Sequence, residues 1–385
     1  MKIPQYETLI LGAGASGMMC AARLTDKKSV AILERNDRVG AKIAVSGGGR
    51  CNLTNRRLDL QRYRGERGFI QTVLKRYDQR WLRRWFDERG VQTRLEKGDQ
   101  YFCVQKAEGV NRALSEAIRG VRLHLGSSVA GIERRGEGFL LHVRNGESIA
   151  ARRLVVASGG LSYPRLGASD IGLRIAEVLG HRIVRPAPAL VGWTLQPQQA
   201  FFKSLSGISA EVELRVGDRR WKDRILFAHR GLSGPAVLNA SLWRERGEVS
   251  IDFLPGVELR SLYGERKQIS TLLPLPRRLA RALLEHLEIP DRPARELDAE
   301  GRRRLEGLHD YRFAPAGDFG YGRAEVTRGG VDTREVDPYS MESRRVKGLY
   351  FVGEVLDVTG EVGGFNFQWA FSSAAVCADA INQEG

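Results

Sequence analysis

Apolar positions recur along the chain with two different periods. Leu9-Ile-Leu11 and Val30-Ala-Ile-Leu33 are unbroken apolar runs, as expected of strands covered on both faces. A helix is predicted between them, so a first βαβ unit spans residues 5–34. Further on, Phe69, Val73, Leu74, Tyr77, Trp81, Leu82, Trp85 and Phe86 recur every three or four residues. That spacing predicts amphipathic helices whose aromatics form core. Arg76, Arg80, Arg83, Arg84 and Arg89 fill the intervening positions. A short helix is expected over 111–119, strands over 121–125, 126–134, 139–143 and 153–160, the last ending in glycines, and a helix over 172–179. From Pro186 the texture alternates, and 211–216 and 248–253 read as antiparallel strands. Residues 257–309 are helical and charged, punctuated by Pro274, Pro276, Pro290 and Pro293. A strand over 348–353 and a helix over 364–381 close the chain.

This order predicts an α/β protein with a Rossmann-like nucleotide-binding domain built from both chain ends. Its first part is 1–188, with a basic helical insertion at 56–120, and its second part is 319–385. Between them lie an inserted antiparallel β subdomain at 189–256 and a helical subdomain at 257–318.

The first βαβ unit carries Gly12-Ala-Gly14-Ala-Ser-Gly17 directly after its strand, and Glu34 ends the second strand. Gly12 permits the tight turn, Gly14 lets the backbone approach a pyrophosphate, and Gly17 lets helix and strand pack closely. The helix start offers unpaired amides and a positive dipole end to phosphate. Glu34 is placed to accept the ribose hydroxyls, which argues against a 2′-phosphate on the tightly held nucleotide. A second signal is Gly353-Glu354 after an apolar strand, followed by Gly363-Gly364-Phe365-Asn366 opening a helix. That helix N-terminus suits the electron-rich edge of a reduced isoalloxazine.

A chain of 385 residues exceeds one ordinary core. Its four cysteines (Cys20, Cys51, Cys103 and Cys377) and six histidines show no metal-ligand or disulfide spacing, so no metal is expected. There is no apolar run of membrane-spanning length and no signal-peptide pattern, so a cytoplasmic protein with no membrane partner is expected. The net charge is +15, and residues 56–94 hold twelve Arg or Lys against five Asp or Glu, a net of +7. That balance favours a polyanion through phosphate contacts.

Several motifs resemble the BaiN/RdsA (YhiN-like) family of FAD-dependent oxidoreductases. They are Ala41-Lys-Ile-Ala-Val-Ser-Gly-Gly-Gly-Arg-Cys-Asn-Leu-Thr-Asn55, Ala157-Ser-Gly-Gly-Leu-Ser-Tyr-Pro164 with Gly167-Ala-Ser169, His229-Arg-Gly-Leu-Ser-Gly-Pro235, Ala324-Glu-Val-Thr-Arg-Gly-Gly-Val-Asp332 and Met341-Glu-Ser343. They occur in the family's order over nearly the whole chain. The resemblance implies a Rossmann-like FAD-binding domain with FAD held by Gly12, Ala13, Gly14, Ala15, Ser16, Gly17, Glu34 and Arg35. Lys42, Arg50 and Asn52 would approach the cofactor, with Val129 near the adenine. Ser158, Gly159, Gly353, Glu354, Gly363, Gly364, Phe365 and Asn366 would lie near the pyrophosphate or flavin. Ser158 stands where the family has Thr, Ala168-Ser-Asp-Ile171 replaces Ser-Thr-Gly-Asp, and Tyr339-Ser340 replaces a threonine, which puts transfer of substrate between branches in question. Gly167-Ala-Ser169, Leu254-Pro-Gly-Val-Glu258 and Leu273-Pro-Leu-Pro-Arg-Arg278 resemble the branch associated with reducing a uridine of large-subunit ribosomal RNA to dihydrouridine. That branch uses FAD with NADH or NADPH as transient donor.

Such a reaction needs an acid for C5 of the uracil. Cys51, inside the cofactor-associated loop, is preferred, with Cys103 and His229 as alternatives. Arg50 is placed to steady either the flavin or the uracil carbonyl. Cys20 and Cys377 fall on apolar helix faces and read as packing residues. Two other functions fit the same sequence: a flavoenzyme of a small amine or enone, independent of RNA, and a flavin-bearing RNA-binding assembly factor without product. Ribosomal RNA or its precursor is the expected partner, and the sequence specifies no oligomeric state.

Overall fold

Strands with no polar face need cover on both sides, and the nucleotide-domain sheet supplies the place for them. In the computed structural model, which describes residues 3–96 and 98–384, Gln5–Leu11 lies at the centre of a seven-stranded sheet. Val30–Leu33 and then Arg122–His124 pair parallel to it on one side, and Ser148–Val156 pairs parallel on the other. The last strand divides its partners. Its first half takes Gly138–Val143 antiparallel, followed by Val129–Arg135, and its end takes Leu349–Phe351 parallel. Leu9, Ile10, Ala31, Ile32, Leu33, Leu154, Val155, Val156, Tyr350 and Phe351 are all fully buried.

The chain divides into two units, one formed by the residues up to Pro188 with those from Glu325 on, the other by Ala189–Ala324. In the first unit, helix Ala15–Arg23 packs on the C-terminal helix Phe365–Glu384. The latter is buried nearly all round, through Phe365, Trp369, Phe371, Val376, Cys377 and Ile381. Helices Arg67–Arg76 and Gln79–Asp87 begin at side-chain caps. Glu66 accepts from the Gly68 and Phe69 amides, and Asp78 from the Arg80 and Trp81 amides, each cap satisfying amides that the first turn leaves open. Their aromatics are core: Phe69 meets Trp369 at 5.9 Å between ring centres, and Phe86 meets Phe371 at 5.2 Å. The helix expected over 111–119 begins earlier, at Lys106–Ala117. The strand expected from Gly126 starts at Val129, because Gly126 takes a left-handed turn at φ 65°.

The second unit holds a seven-stranded sheet ordered Tyr311–Phe313, Val249–Asp252, Ser209–Val216, Arg219–Ala228, Gly231–Ser233, Trp193–Thr194 and Gly317–Asp318. Its strands pair antiparallel throughout. The sequence divides this region at 256/257; the structure does not. Helix Arg277–His286 places Leu279, Ala280, Leu283 and Leu284 in the same core as Phe202, Phe227 and Phe253. Strand Tyr311–Phe313, which follows the helices, extends the sheet beside Val249–Asp252.

Candidate functional site

The nucleotide turn is built as the glycine spacing requires. Gly12 has φ 108°, and a Cβ there would lie 2.6 Å from the Ala157 carbonyl oxygen. A Cβ on Gly17 would lie 1.9 Å from the Gly12 oxygen, so helix and turn touch through bare backbone. Gly14 differs: no atom lies within 4 Å of the position its Cβ would take. It heads helix Ala15–Arg23 with no side-chain cap, which leaves first-turn amides open to an anion. Glu34 Oε2 accepts from the Ala13 amide at 2.7 Å, and its Oε1 accepts from the Asn36 amide and side chain at 2.8 and 2.9 Å. The carboxylate is thereby fixed at the mouth of the turn, while Arg35 beside it is exposed.

A second group gathers where strands Ser148–Val156 and Leu349–Phe351 end, the edge at which α/β sheets hold ligands. Lys42 Nζ donates to Glu354 Oε2 at 2.6 Å, and the Thr327 amide donates to Glu354 Oε1 at 2.8 Å. Thr327 Oγ1 in turn accepts from the Leu161 and Ser162 amides at 2.8 and 3.1 Å. Gly160 is required here, because its Cβ would come within 2.8 Å of both Thr327 and Glu354. Gly159 is left-handed at φ 72° with open space beside it. Ser158 Oγ is buried and has no hydrogen-bond partner among the described residues. The open cradle at Gly14 fits a dinucleotide pyrophosphate, whereas the Ser158 hydroxyl is enclosed against Gly172.

Gly363 and Gly364 have φ 134° and 88°, and Gly364 crosses the Thr54 backbone with room for no side chain. Asn366 is not free: its side chain accepts from the Gly360 amide and donates to the Gly360 carbonyl, both at 2.8 Å. Asn52 pairs with Gln100 at 2.5 Å. Phe365 is buried under the Arg62 guanidinium, 4.5 Å from its ring centre. Val129 is buried at the start of its strand.

Of the three residues proposed for catalysis, Arg50 and Cys51 belong to the first unit and His229 to the second. Arg50 pairs with Glu96 and stacks on Phe102 at 4.2 Å. His229 is exposed in the second unit, between Arg219–Ala228 and Gly231–Ser233. Cys51 has no exposed surface, and its thiol meets that of Cys103 on the neighbouring strand. A thiol so enclosed touches neither solvent nor a substrate in this arrangement.

Sequence reasoning passed over Glu325, two residues before Thr327 in the same motif. Its side chain keeps open surface while protein surrounds it, and that enclosure pushes its carboxyl above the ordinary carboxylate range despite the Lys42 ammonium. An upward shift of this kind moves a carboxyl toward the role of proton donor. Also on this unit, Arg57, Arg67, Lys75, Arg80 and Arg84 are exposed and have no acidic partner among the described residues. Among the described residues no cluster of His, Cys, Asp and Glu has the make-up to hold a metal ion, and no helix is long and apolar enough to cross a membrane.

Comparison with known proteins adds the following. The family described as HI0933-like protein Rossmann domain matches residues 6–380. A protein of Haemophilus influenzae named ribosomal RNA dihydrouridine synthase is 38% identical over 99% of this chain and 100% of its own length. Its namesake in Escherichia coli is 38% identical over 98% of both chains. A 3-dehydro-bile acid delta(4,6)-reductase of Clostridium scindens is 31% identical over 96% of this chain and 98% of its own. Among solved structures, 3-ketosteroid delta1-dehydrogenase from Sterolibacterium denitrificans shares the fold, with TM-score 0.54, 14% identity, and 99% and 100% of the two chains covered.

Proposed function

The chain belongs to the HI0933-like Rossmann-domain family, and from that premise we propose that it is an FAD-dependent reductase converting a uridine of 23S ribosomal RNA to dihydrouridine, with NADH or NADPH as electron donor. The end-to-end likeness to two ribosomal RNA dihydrouridine synthases, at 38% identity, carries this assignment. The exposed arginines of helix Gln79–Asp87 and its neighbours support it, because RNA phosphates supply the counter-charge they lack.

FAD, when bound, supplies the hydride chemistry between nicotinamide and C6 of the uracil. The protein supplies placement. Gly12, Gly14 and Gly17 let the backbone meet the pyrophosphate, and Glu34 takes the ribose. The Lys42–Glu354 pair places an ammonium at the strand ends, where charge develops on reduction. An RNA base must leave its stack to reach such a site, at a cost of a few kcal/mol. For the proton delivered to C5, Glu325 is favoured over Cys51, since its side chain is open to a substrate and its carboxyl is held above the ordinary carboxylate range. Arg50 and His229 are left for contact with the RNA. An RNA substrate places the reaction in the cytoplasm.

The 31% identity to a bile acid reductase favours one competing reading, reduction of a small enone. Nucleoside mass spectrometry of 23S rRNA from cells with and without the gene separates the two. Loss of one dihydrouridine, restored by the wild-type gene, is expected; an unchanged dihydrouridine content refutes the RNA reading.

A further inference from the structure

Two pairs of thiols lie in contact inside the first unit, Cys51 with Cys103 and Cys20 with Cys377. Their surroundings differ. Cys20 and Cys377 sit on helices Ala15–Arg23 and Phe365–Glu384, both without exposed surface. Bringing those sulfurs to bonding distance means moving two packed helices. Cys51 instead ends a loop whose Gly47, Gly48 and Gly49 all have left-handed φ, at 54°, 66° and 84°, and Cys51 itself has φ 54°. Most of that loop is exposed.

The register fixes the second partner. Asn52 pairs antiparallel with Phe102, and one step further Cys51 stands opposite Cys103, whose amide donates to the Cys51 carbonyl at 3.1 Å. Opposed residues on antiparallel strands have Cα atoms about 4.5–5.5 Å apart, within the ~4.4–6.8 Å that a disulfide spans. The neighbouring Cys51 and burial both push the Cys103 thiol upward.

We propose that Cys51 and Cys103 form an oxidisable pair that closes to a disulfide in the presence of hydrogen peroxide, tying the glycine-rich loop to strand Gln100–Cys103. The Cys51 sulfur attacks one peroxide oxygen, the O–O bond breaks, and the departing hydroxide takes the Cys51 proton to become water, leaving Cys51 as a sulfenic acid. The Cys103 sulfur then attacks the Cys51 sulfur, the S–O bond breaks, and hydroxide leaves with the Cys103 proton as a second water. Two electrons pass from the sulfurs to peroxide, and one S–S bond replaces two S–H bonds. Peroxide is also what dioxygen becomes when it takes two electrons from a reduced flavin. The pair stands whether or not the RNA assignment does.

The test is a thiol count on FAD-loaded protein before and after stoichiometric hydrogen peroxide, alkylated in denaturant and mapped without reductant. The expected result is that two of the four thiols are lost, that one peptide pair joins Cys51 to Cys103, and that dithiothreitol restores all four. Cys103→Ser is expected to lose that cross-link while its circular dichroism matches wild type. Four alkylatable thiols after peroxide, or a cross-link between Cys20 and Cys377 instead, would overturn the proposal, and both outcomes are read on the wild-type protein alone.

Discussion

Adding one methyl group to Gly14 discriminates an open cofactor cradle from a merely structural glycine turn. Gly14 has φ −84° and ψ −165°, a conformation open to alanine, and nothing lies within 4 Å of the new Cβ. The fold of the cofactor-free protein therefore should not notice Gly14→Ala, beyond a few tenths of a kcal/mol from the weaker cap. The pyrophosphate would notice. It rests on the backbone at that point, and a methyl displaces it far enough to cost one or two charge-assisted hydrogen bonds, at about 1.5–3 kcal/mol each. A total of about 1.5–6 kcal/mol corresponds to a roughly 10- to 20,000-fold rise in the FAD dissociation constant. Gly17→Ala is the contrast, since its Cβ would lie 1.9 Å from a backbone oxygen. There the helix itself must move, with a loss of roughly 5–10 °C in Tm before any cofactor is added. Titration of cofactor-stripped protein with FAD, followed by flavin fluorescence beside thermal melts, reads both effects. Gly14→Ala that binds FAD as tightly as wild type refutes the cradle.

Three other outcomes are expected. Glu325→Gln should lower dihydrouridine formation by about 10²- to 10⁴-fold while NADH still reduces the flavin at the wild-type rate in stopped flow; equal loss of both half-reactions would deny it the proton-donor role. Arg80→Glu with Arg84→Glu, two exposed residues one helical turn apart, should weaken binding to a 23S rRNA fragment and lower the log–log salt slope by about one to two. Its FAD content should stay unchanged, and an unaltered salt slope would move the RNA face elsewhere. Burial holds His124, His181 and His286 below the ordinary histidine pKa. The unfolded chain therefore takes up protons first as pH falls, so their contribution to stability is complete above about pH 6.5 and declines below it. Melting curves from pH 7.5 to 5 should show this fall, and His181→Gln should make it shallower.

How much of the site can be read from sequence depends on how far apart its parts lie along the chain. Gly12, Gly14, Gly17 and Glu34 belong to one βαβ unit, and each has a local steric or hydrogen-bonding reason that spacing alone reveals. The contacts at the strand ends have no such signal. Lys42 meets Glu354, and Thr327 caps Glu354, only because Leu349–Phe351 adds to the sheet beside Ser148–Val156. The second unit shows the same limit. Leu279 and Leu283 carry an ordinary helical period, and nothing in that period tells that they share a core with Phe202 and Phe227. A division into β and helical parts follows from local texture, while their union follows from long-range packing.

Gln368 shows how a polar residue that spoils an apolar pattern becomes intelligible in three dimensions. It lies fully buried on the C-terminal helix, where periodicity asks for an apolar side chain. Its carbonyl accepts from Thr54 Oγ1 at 2.6 Å, and its amide donates to the Tyr77 carbonyl at 3.0 Å and to Ser372 Oγ at 2.8 Å. Tyr77 is the residue that ends helix Arg67–Arg76, so its carbonyl is one that a helix terminus leaves unpaired. Thr54 belongs to the strand that Gly364 crosses without a side chain. Gln368 thus ties a helix end and strand Asn52–Asn55 to the C-terminal helix. An apolar residue there would bury a bare hydroxyl at Thr54, at about 1–3 kcal/mol. The break in the pattern is visible in the sequence; its cause is visible only once three distant segments meet.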